Sequence, residues 1–117
     1  MSDFSNLRKP GVAQKSPVLN EHKKVIFEDK HYVIEILLAT YFHDGYQYVV
    51  AGHNCIVGAE PVRLSPTPEN GLYCSERAAV VSMLYYIANN HAAKWPEEVQ
   101  QIIKLAIMQE RQISIFD

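Results

Sequence analysis

Apolar and aromatic residues are concentrated in two runs in the first half of the chain, at residues 24–27 and 31–42. β-Branched and aromatic side chains at this density are typical of strands. The Asp44-Gly45 pair follows the second run, has aromatic residues on both sides, and suits the positive φ angles of a tight turn. The pattern therefore predicts an antiparallel hairpin over residues 31–57, in which Gly52 marks a bulge or the close approach of another backbone segment.

The chain changes character after the hairpin, because prolines and glycine accumulate in residues 58–73. Pro61, Pro66 and Pro68 each remove a backbone donor and bias the preceding residue away from helical angles. We expect this segment to be a loop without regular structure. A loop of this length in a compact domain is often functional.

Two helices are predicted in the second half of the chain, over about 75–90 and about 96–111. The first is apolar almost all round, so we expect it to be covered on more than one face, and in a short chain this favours a homo-oligomer. Pro96 lies in the first turn of the second helix beside Glu97 and Glu98, which suit the positive end of its dipole. The apolar residues of this helix recur at three- and four-residue steps, at Val99, Ile102, Ile103, Ala106 and Ile107. We expect this stripe to pack on the sheet or on the first helix.

These elements predict one α+β domain, with an N-terminal antiparallel sheet followed by two C-terminal helices. The chain has 117 residues, which is enough for a single core. Residues 1–20 show no periodicity and are predicted to be a flexible arm. Residues 21–117 are predicted to form the domain, with its strands over about 24–57.

Composition and charge exclude several classes of function. The net charge is −2 and the basic residues are scattered, so no cationic stripe suits general nucleic-acid binding. The two cysteines are too few for a disulfide framework, and no charged-then-apolar leader opens the chain. No apolar run approaches the roughly 18–20 residues that span a bilayer. We expect a cytoplasmic protein without membrane partners.

The segment 69–79 reads E-N-G-L-Y-C-S-E-R-A-A, with a cysteine two residues before a glutamate at a predicted helix start. It resembles the first half of the cytidine deaminase signature, in which E-N contacts the ribose and C-A-E-R supplies one zinc ligand and the catalytic glutamate. The resemblance implies that Glu69 and Asn70 contact a sugar. It also implies that Cys74 binds zinc and that Glu76 moves protons.

The second half of that signature is absent from this sequence. The deaminases have a downstream P-C-x-x-C that supplies two more zinc ligands, whereas no cysteine follows Cys74. The histidines do not fall at metal-ligand spacings either. Because a catalytic zinc site needs three protein ligands, we expect no metal, no cofactor and no catalytic residues. An incomplete deaminase-like protein is kept as an alternative hypothesis.

The last residues suggest a second alternative. The string Gln112-Ile113-Ser114-Ile115-Phe116 resembles the bacterial sliding-clamp-binding motif, whose usual form is an exposed Q-L-S/D-L-F tail. The resemblance implies that Gln112 makes polar contacts while Ile115 and Phe116 fill an apolar pocket, as in a replication accessory protein. The same apolar residues also fit a last strand or a segment that folds back on the core.

The order of elements, strands first and then two helices, resembles the phage anti-Thoeris proteins that sequester cyclic ADP-ribose isomers. This architectural resemblance implies a non-enzymatic, homo-oligomeric protein that holds a cyclic nucleotide and counters bacterial defence. We expect a nucleotide-like ligand near the start of the first helix, where backbone amides and Arg77 favour anions. The predicted ligand-binding residues are Glu69, Asn70, Tyr73, Arg77, Asn90 and Arg111.

Overall fold

The computed structural model describes residues 17–116, with the side chains of residues 17–112. A single antiparallel sheet has the strand order β1-β2-β3-β4. Its strands are β1 (Leu19–Glu28), β2 (Tyr32–His43), β3 (Tyr46–Val57) and β4 (Pro61–Leu64), and two helices follow, α1 (Glu76–Asn90) and α2 (Glu97–Phe116). Single 3-10 turns span Pro68–Asn70 and Ala92–Lys94. The predicted α+β architecture is confirmed.

The β2–β3 hairpin is paired without interruption over its full length. Tyr32 lies opposite Val57 and His43 lies opposite Tyr46. The connecting residues Asp44 and Gly45 have φ angles of 53° and 82°, as the favoured two-residue hairpin turn requires. The predicted hairpin and its turn are therefore confirmed.

Strand β1 begins inside the segment that was predicted to be an arm. Leu19 pairs with Thr40 of β2, so the last two residues of the predicted arm 1–20 belong to the sheet. Most side chains of β1 are exposed, which is why the sequence shows little periodicity there. Backbone pairing with β2 gives this polar segment its regular structure. Residues 1–16 lie outside the described part of the chain.

The prediction that residues 58–73 have no regular structure is wrong for β4. Pro61 is the first residue of this strand, which pairs with β3 on one side, and a proline is tolerated at the start of an edge strand because no ladder bond is lost there. After β4 the chain passes directly over Gly52. An ideal Cβ at Gly52 would overlap the Leu64 carbonyl oxygen and lie 2.6 Å from the Ser65 carbonyl carbon. The predicted close backbone approach at Gly52 is thus confirmed.

The core lies between one face of the sheet and the two helices. From the sheet it receives Ile34, Ile36, Leu38, Ala51 and Cys55, and from the helices Ala79, Val80, Met83, Leu84, Ile87, Val99, Ile103 and Ile107. Helix α1 packs on β2, on β3 and on α2. The predicted stripe of α2 is confirmed, because its members are buried or half-buried. On α1, Tyr85 and Tyr86 stay 39% and 43% exposed, and self-association stays a prediction.

Polar contacts tie β1 and β2 to α2. Lys24 Nζ lies 2.8 Å from a carboxylate oxygen of Glu110, and the Tyr32 hydroxyl donates to Glu98 over 2.9 Å.

On the opposite face of the sheet, Glu35 is 6% exposed and accepts from Lys23 at 2.9 Å. This bond, together with one from Asn54, holds the pKa of Glu35 below its usual value against the effect of burial.

Helix α2 extends five residues beyond its predicted end at 111, up to Phe116. No glycine or proline interrupts residues 97–116, so the sequence contains no residue that would stop the helix. Within residues 17–116, neither helix combines the length and the apolar character that crossing a membrane requires.

We predict that Gly52→Ala lowers the free energy of unfolding by about 3 kcal/mol, because the new methyl group would force the Leu64–Pro66 backbone away from β3. Urea titration of the purified variant measures this change. Ala59→Ser, at an exposed position, serves as the control and should change stability by less than about 0.5 kcal/mol. Equal stability of Gly52→Ala and the parent would contradict the close approach at this point.

Candidate functional site

A cavity of about 250 Å³ lies between the 3-10 turn Pro68–Asn70 and helix α1. Its lining residues come from β4, the turn, the following segment and α1, and they are Leu64, Glu69, Asn70, Tyr73, Ser82, Met83 and Tyr86. Three of the predicted ligand-binding residues, Glu69, Asn70 and Tyr73, therefore meet in one place. We refer to this space as the Asn70 cavity.

The residues of the Asn70 cavity are held against the edge of β3. The side-chain nitrogen of Asn70 donates to the carbonyl oxygens of Ala51 at 2.8 Å and of Ser65 at 2.7 Å. Tyr73 exchanges two backbone hydrogen bonds with Val49, of 2.8 and 2.9 Å. Between them, Gly71 has a φ of 121°, an angle that a residue with a side chain rarely adopts. The loop is therefore fixed to the sheet at both ends of the cavity.

The polar side chains among the lining residues have distinct hydrogen-bonding capacities. Both amide hydrogens of Asn70 are used on backbone carbonyls, so its Oδ1 is left as an acceptor for a guest. The Tyr73 hydroxyl lies 2.7 Å from Ser82 Oγ, and this pair can both donate and accept. Glu69 adds a carboxylate. The cavity is thus rich in acceptors and suits a ligand that carries hydroxyl or amino groups.

The other three predicted ligand-binding residues do not line this cavity. Arg77 is half-buried in the first turn of α1, whereas Asn90 is exposed at the other end, about 20 Å away along the helix, and donates to the Tyr86 carbonyl. Arg111 donates to the Tyr85 hydroxyl over 2.8 Å and lines a separate groove between α1 and α2. Arg77 and Asn90 lie at opposite ends of α1, and Arg111 lies on α2. The three residues therefore do not meet in one site.

The start of α1 already faces groups of the chain itself. Ser75 caps the helix, since its Oγ accepts from the Ala78 amide at 3.1 Å. The Glu76 carboxylate lies 2.7 Å from His22 Nε2. The pKa of His22 is raised, chiefly by its hydrogen bond with the Asn20 carbonyl and then by Glu76. A negative group of the chain therefore occupies the positive end of the helix dipole, which disfavours this end as the anion site.

The two cysteines lie in different environments. Cys74 is exposed just before α1, and Cys55 is fully buried on β3. Burial raises the pKa of the Cys55 thiol to about 11. Over the part of the chain that the structure describes, no three His, Cys, Asp or Glu side chains lie together as a metal-binding group.

Sequence reasoning missed a cluster of rings next to the cavity. His53 is 1% exposed and lies 5.4 Å from the His91 ring and 5.9 Å from the Tyr86 ring, while His91 stacks on Trp95. Neither ring nitrogen of His53 has a well-formed hydrogen bond among the described residues. Burial lowers the pKa of His53 to about 4, and His91 adds to this effect, against a weak opposing contribution from the Val62 backbone. His53 and Cys55 lie two residues apart on β3 and so share one face of the sheet, but the burial of His53 also depends on β4, which was not predicted.

The segment that resembles a clamp-binding motif falls largely outside the described side chains. Gln112 is exposed on α2, and the backbone of residues 113–116 continues that helix. The side chains of Ile115 and Phe116 lie outside the described residues. Clamp binding stays a prediction.

We predict that one thiol of the folded protein reacts rapidly with a disulfide reagent at pH 8. The exposed Cys74 supplies this thiol, whereas burial and a raised pKa keep Cys55 protonated and out of reach. Cys74→Ser should abolish the rapid phase, and the matched variant Cys55→Ala should retain it. Two equally fast thiols in the native protein would be inconsistent with a buried Cys55.

We predict that His53 makes the protein less stable in acid. Its folded pKa of about 4 lies below the ordinary value of 6.5, so its contribution to stability is complete above pH 6.5 and is lost as the pH falls towards 4. The loss should total about 3 kcal/mol over that window. Urea unfolding at several pH values measures it.

The test compares the pH dependence of variants, because other carboxylates and histidines titrate in the same window. His53→Leu should remove most of the difference in stability between pH 7 and pH 4.5, whereas exposed His43→Gln should leave it. An unchanged pH dependence in His53→Leu would show that His53 is not the buried neutral group described above.

Comparison with known proteins identified no relative of this chain. No family model, no curated protein and no solved structure matches the chain. The evidence for function therefore comes from the cavities and from the chemistry of the residues that line them.

Proposed function

We propose that the protein is a non-enzymatic binding protein for a small nucleotide-like molecule, whose nucleoside part lies in the Asn70 cavity. One observation carries the proposal: the residues that the sequence singled out for sugar contact, Glu69 and Asn70, line the same cavity as Tyr73. A cavity with a few convergent polar groups is the usual form of a small-molecule site.

The lining of the cavity favours a nucleoside over other small molecules. Asn70 Oδ1 and the Glu69 carboxylate suit ribose hydroxyls or an exocyclic amine, since both are acceptors. Tyr86 lines the cavity and is 43% exposed, so its ring is accessible to a base. Met83 and Leu64 supply the apolar surface below the base.

The size and charge of the cavity set which part of the ligand it holds. Its volume of about 250 Å³ lies below the range of about 300–1,000 Å³ that whole drug-sized ligands require. None of its lining residues is basic, so phosphate groups would remain at its mouth in contact with solvent. A cyclic nucleotide would therefore bind through its nucleoside end.

The non-enzymatic part of the proposal is supported by where the deaminase-like residues lie. Neither Cys74 nor Glu76 lines the Asn70 cavity, and the Glu76 carboxylate is engaged with His22. A bound nucleoside would thus lie away from the residues that the resemblance assigns to chemistry. Sequestration of a cyclic nucleotide signal, as in a phage anti-defence sponge, is the role that fits such binding.

Isothermal calorimetry with nucleosides, mononucleotides and cyclic ADP-ribose isomers tests this proposal. We expect one chemical class to bind at micromolar concentration or tighter. Ser82→Leu, which fills the cavity, should weaken that binding at least about tenfold, because the ligand loses its space. Gln101→Leu adds the same side chain at an exposed position of α2 outside the cavity and should bind like the parent.

Two outcomes would contradict the proposal. One is the absence of heat with every member of the panel while the parent protein is folded. The other is binding that Ser82→Leu leaves unchanged, provided that thermal unfolding shows the variant to be folded. Chromatography of the ligand after incubation with the protein tests separately whether the protein is non-enzymatic. We expect the ligand to be recovered unchanged, without loss of an amino group.

A further inference from the structure

A second concave surface lies apart from the Asn70 cavity. A groove of about 430 Å³ runs between α1 and α2. Its apolar surface comes from Ala88 and Ala92 on one side and from Ile103, Ile107 and Met108 on the other. We call this space the interhelical groove. It shares no lining residue with the Asn70 cavity.

The charged residues of the interhelical groove are all basic. Lys104 and Arg111 lie two turns apart on the same side of α2, about 10 Å from each other along the axis. Arg111 donates to the Tyr85 hydroxyl, and among the described residues no carboxylate forms an ion pair with either cation. The acidic residue of this part of α2, Glu110, points to Lys24 of β1 instead.

We propose that the interhelical groove binds a single-chain amphiphile with an anionic head group, such as a fatty acid. The apolar wall takes the alkyl chain, and Arg111 or Lys104 pairs with the head group. Both cations have flexible stems, so the head group can sit beside Arg111 at one end of the α2 wall or beside Lys104 nearer its middle.

The dimensions favour a small amphiphile over a protein segment. The lining residues of α2 run from Gln100 to Arg111, a length of about 16 Å along the helix. The volume of about 430 Å³ falls within the range of about 300–1,000 Å³ that is usual for small-molecule sites.

Charge argues against two other occupants of the groove. Residues 1–16 contain Arg8, Lys9 and Lys15 but only one acidic residue, Asp3, so this segment would bring further positive charge to two unpaired cations. A second copy related by a two-fold axis near the centre of the α2 groove would bring the two Lys104 side chains together. An anionic ligand meets neither penalty.

Calorimetry with dodecanoate below its critical micelle concentration tests the proposal, with dodecylamine as the ligand of matched chain length and opposite charge. We expect dodecanoate to bind and dodecylamine to bind at least about tenfold more weakly. Octanoate should bind roughly a hundredfold more weakly than dodecanoate, because four fewer methylene groups are buried.

Two variants locate the site. Lys104→Glu combined with Arg111→Glu should weaken dodecanoate binding at least about tenfold, whereas Gln101→Glu, which adds negative charge outside the groove, should leave it unchanged. Ala93→Trp, at an exposed lining position, should block the groove without disturbing the core. Thermal unfolding checks that each variant is folded.

Several results would overturn the proposal. Equal binding of dodecanoate and dodecylamine would indicate unspecific apolar adsorption, and full binding by Ala93→Trp would exclude this groove. Binding to phosphatidylglycerol vesicles without binding of monomeric dodecanoate would indicate a membrane surface as the source of the anion. A dimer in sedimentation that Ala93→Trp dissociates would identify a second copy as the occupant. Because the two sites share no residue, Ser82→Leu should not affect dodecanoate, and either proposal can fail alone.

Discussion

The candidate site depends on one edge of β3, the edge that does not pair with β2. An unpaired strand edge leaves backbone donors and acceptors that must be satisfied. This edge is closed in three ways along its length. β4 pairs with residues 53–56, the Asn70 amide group bonds the Ala51 carbonyl, and Tyr73 pairs with Val49. The chain must therefore turn away from the sheet between β4 and Tyr73, and the Asn70 cavity is the space left between that turn and α1.

This arrangement explains why the cavity residues are placed with little freedom. Gly52 admits the backbone that follows β4, and Gly71 adopts the positive φ that returns the chain to the edge. The side-chain nitrogen of Asn70 has a structural role, because it donates to two backbone carbonyls, whereas its Oδ1 is left as an acceptor. Ser82 and Met83 are set by the face of α1 that packs on β3. Hydrogen bonds that hold the backbone around a small polar space favour binding without large rearrangement.

Much of the fold could be predicted from the sequence because local patterns determine it. Asp44-Gly45 fixes the hairpin turn, and the spacing of Val99, Ile103 and Ile107 fixes the buried face of α2. The start of β1, residues 19–23, and the whole of β4 escaped prediction for a different reason, whereas the strand predicted at 24–27 lies within β1. Both are formed by backbone pairing at the two edges of the hairpin, with side chains that are largely exposed or, in Pro61, unfavourable to strands in general. Each of the two strands pairs with its neighbour along the chain, but backbone hydrogen bonds do not depend on side-chain identity and so leave no pattern in the sequence.

The candidate site could be predicted only in part. Glu69, Asn70 and Tyr73 lie within five residues of one another and were predicted from a motif, so their meeting in one cavity required no knowledge of the fold. Ser82 and Tyr86 enter the cavity only because α1 packs across β3. The burial of His53 depends on β4 and on His91 from beyond α1. Arg111 was predicted from its chemical type alone, and the fold places it in a different groove, between α1 and α2.

A crystal structure of the protein soaked with the tightest-binding nucleoside or cyclic nucleotide would show whether the Asn70 cavity is the ligand site. We expect density for a sugar within hydrogen-bonding distance of Asn70 Oδ1 and for a base against the Tyr86 ring, with the Tyr73–Val49 pairing intact. A ligand bound at the start of α1 beside Ser75 and Arg77, with the Asn70 cavity closed, would contradict this expectation.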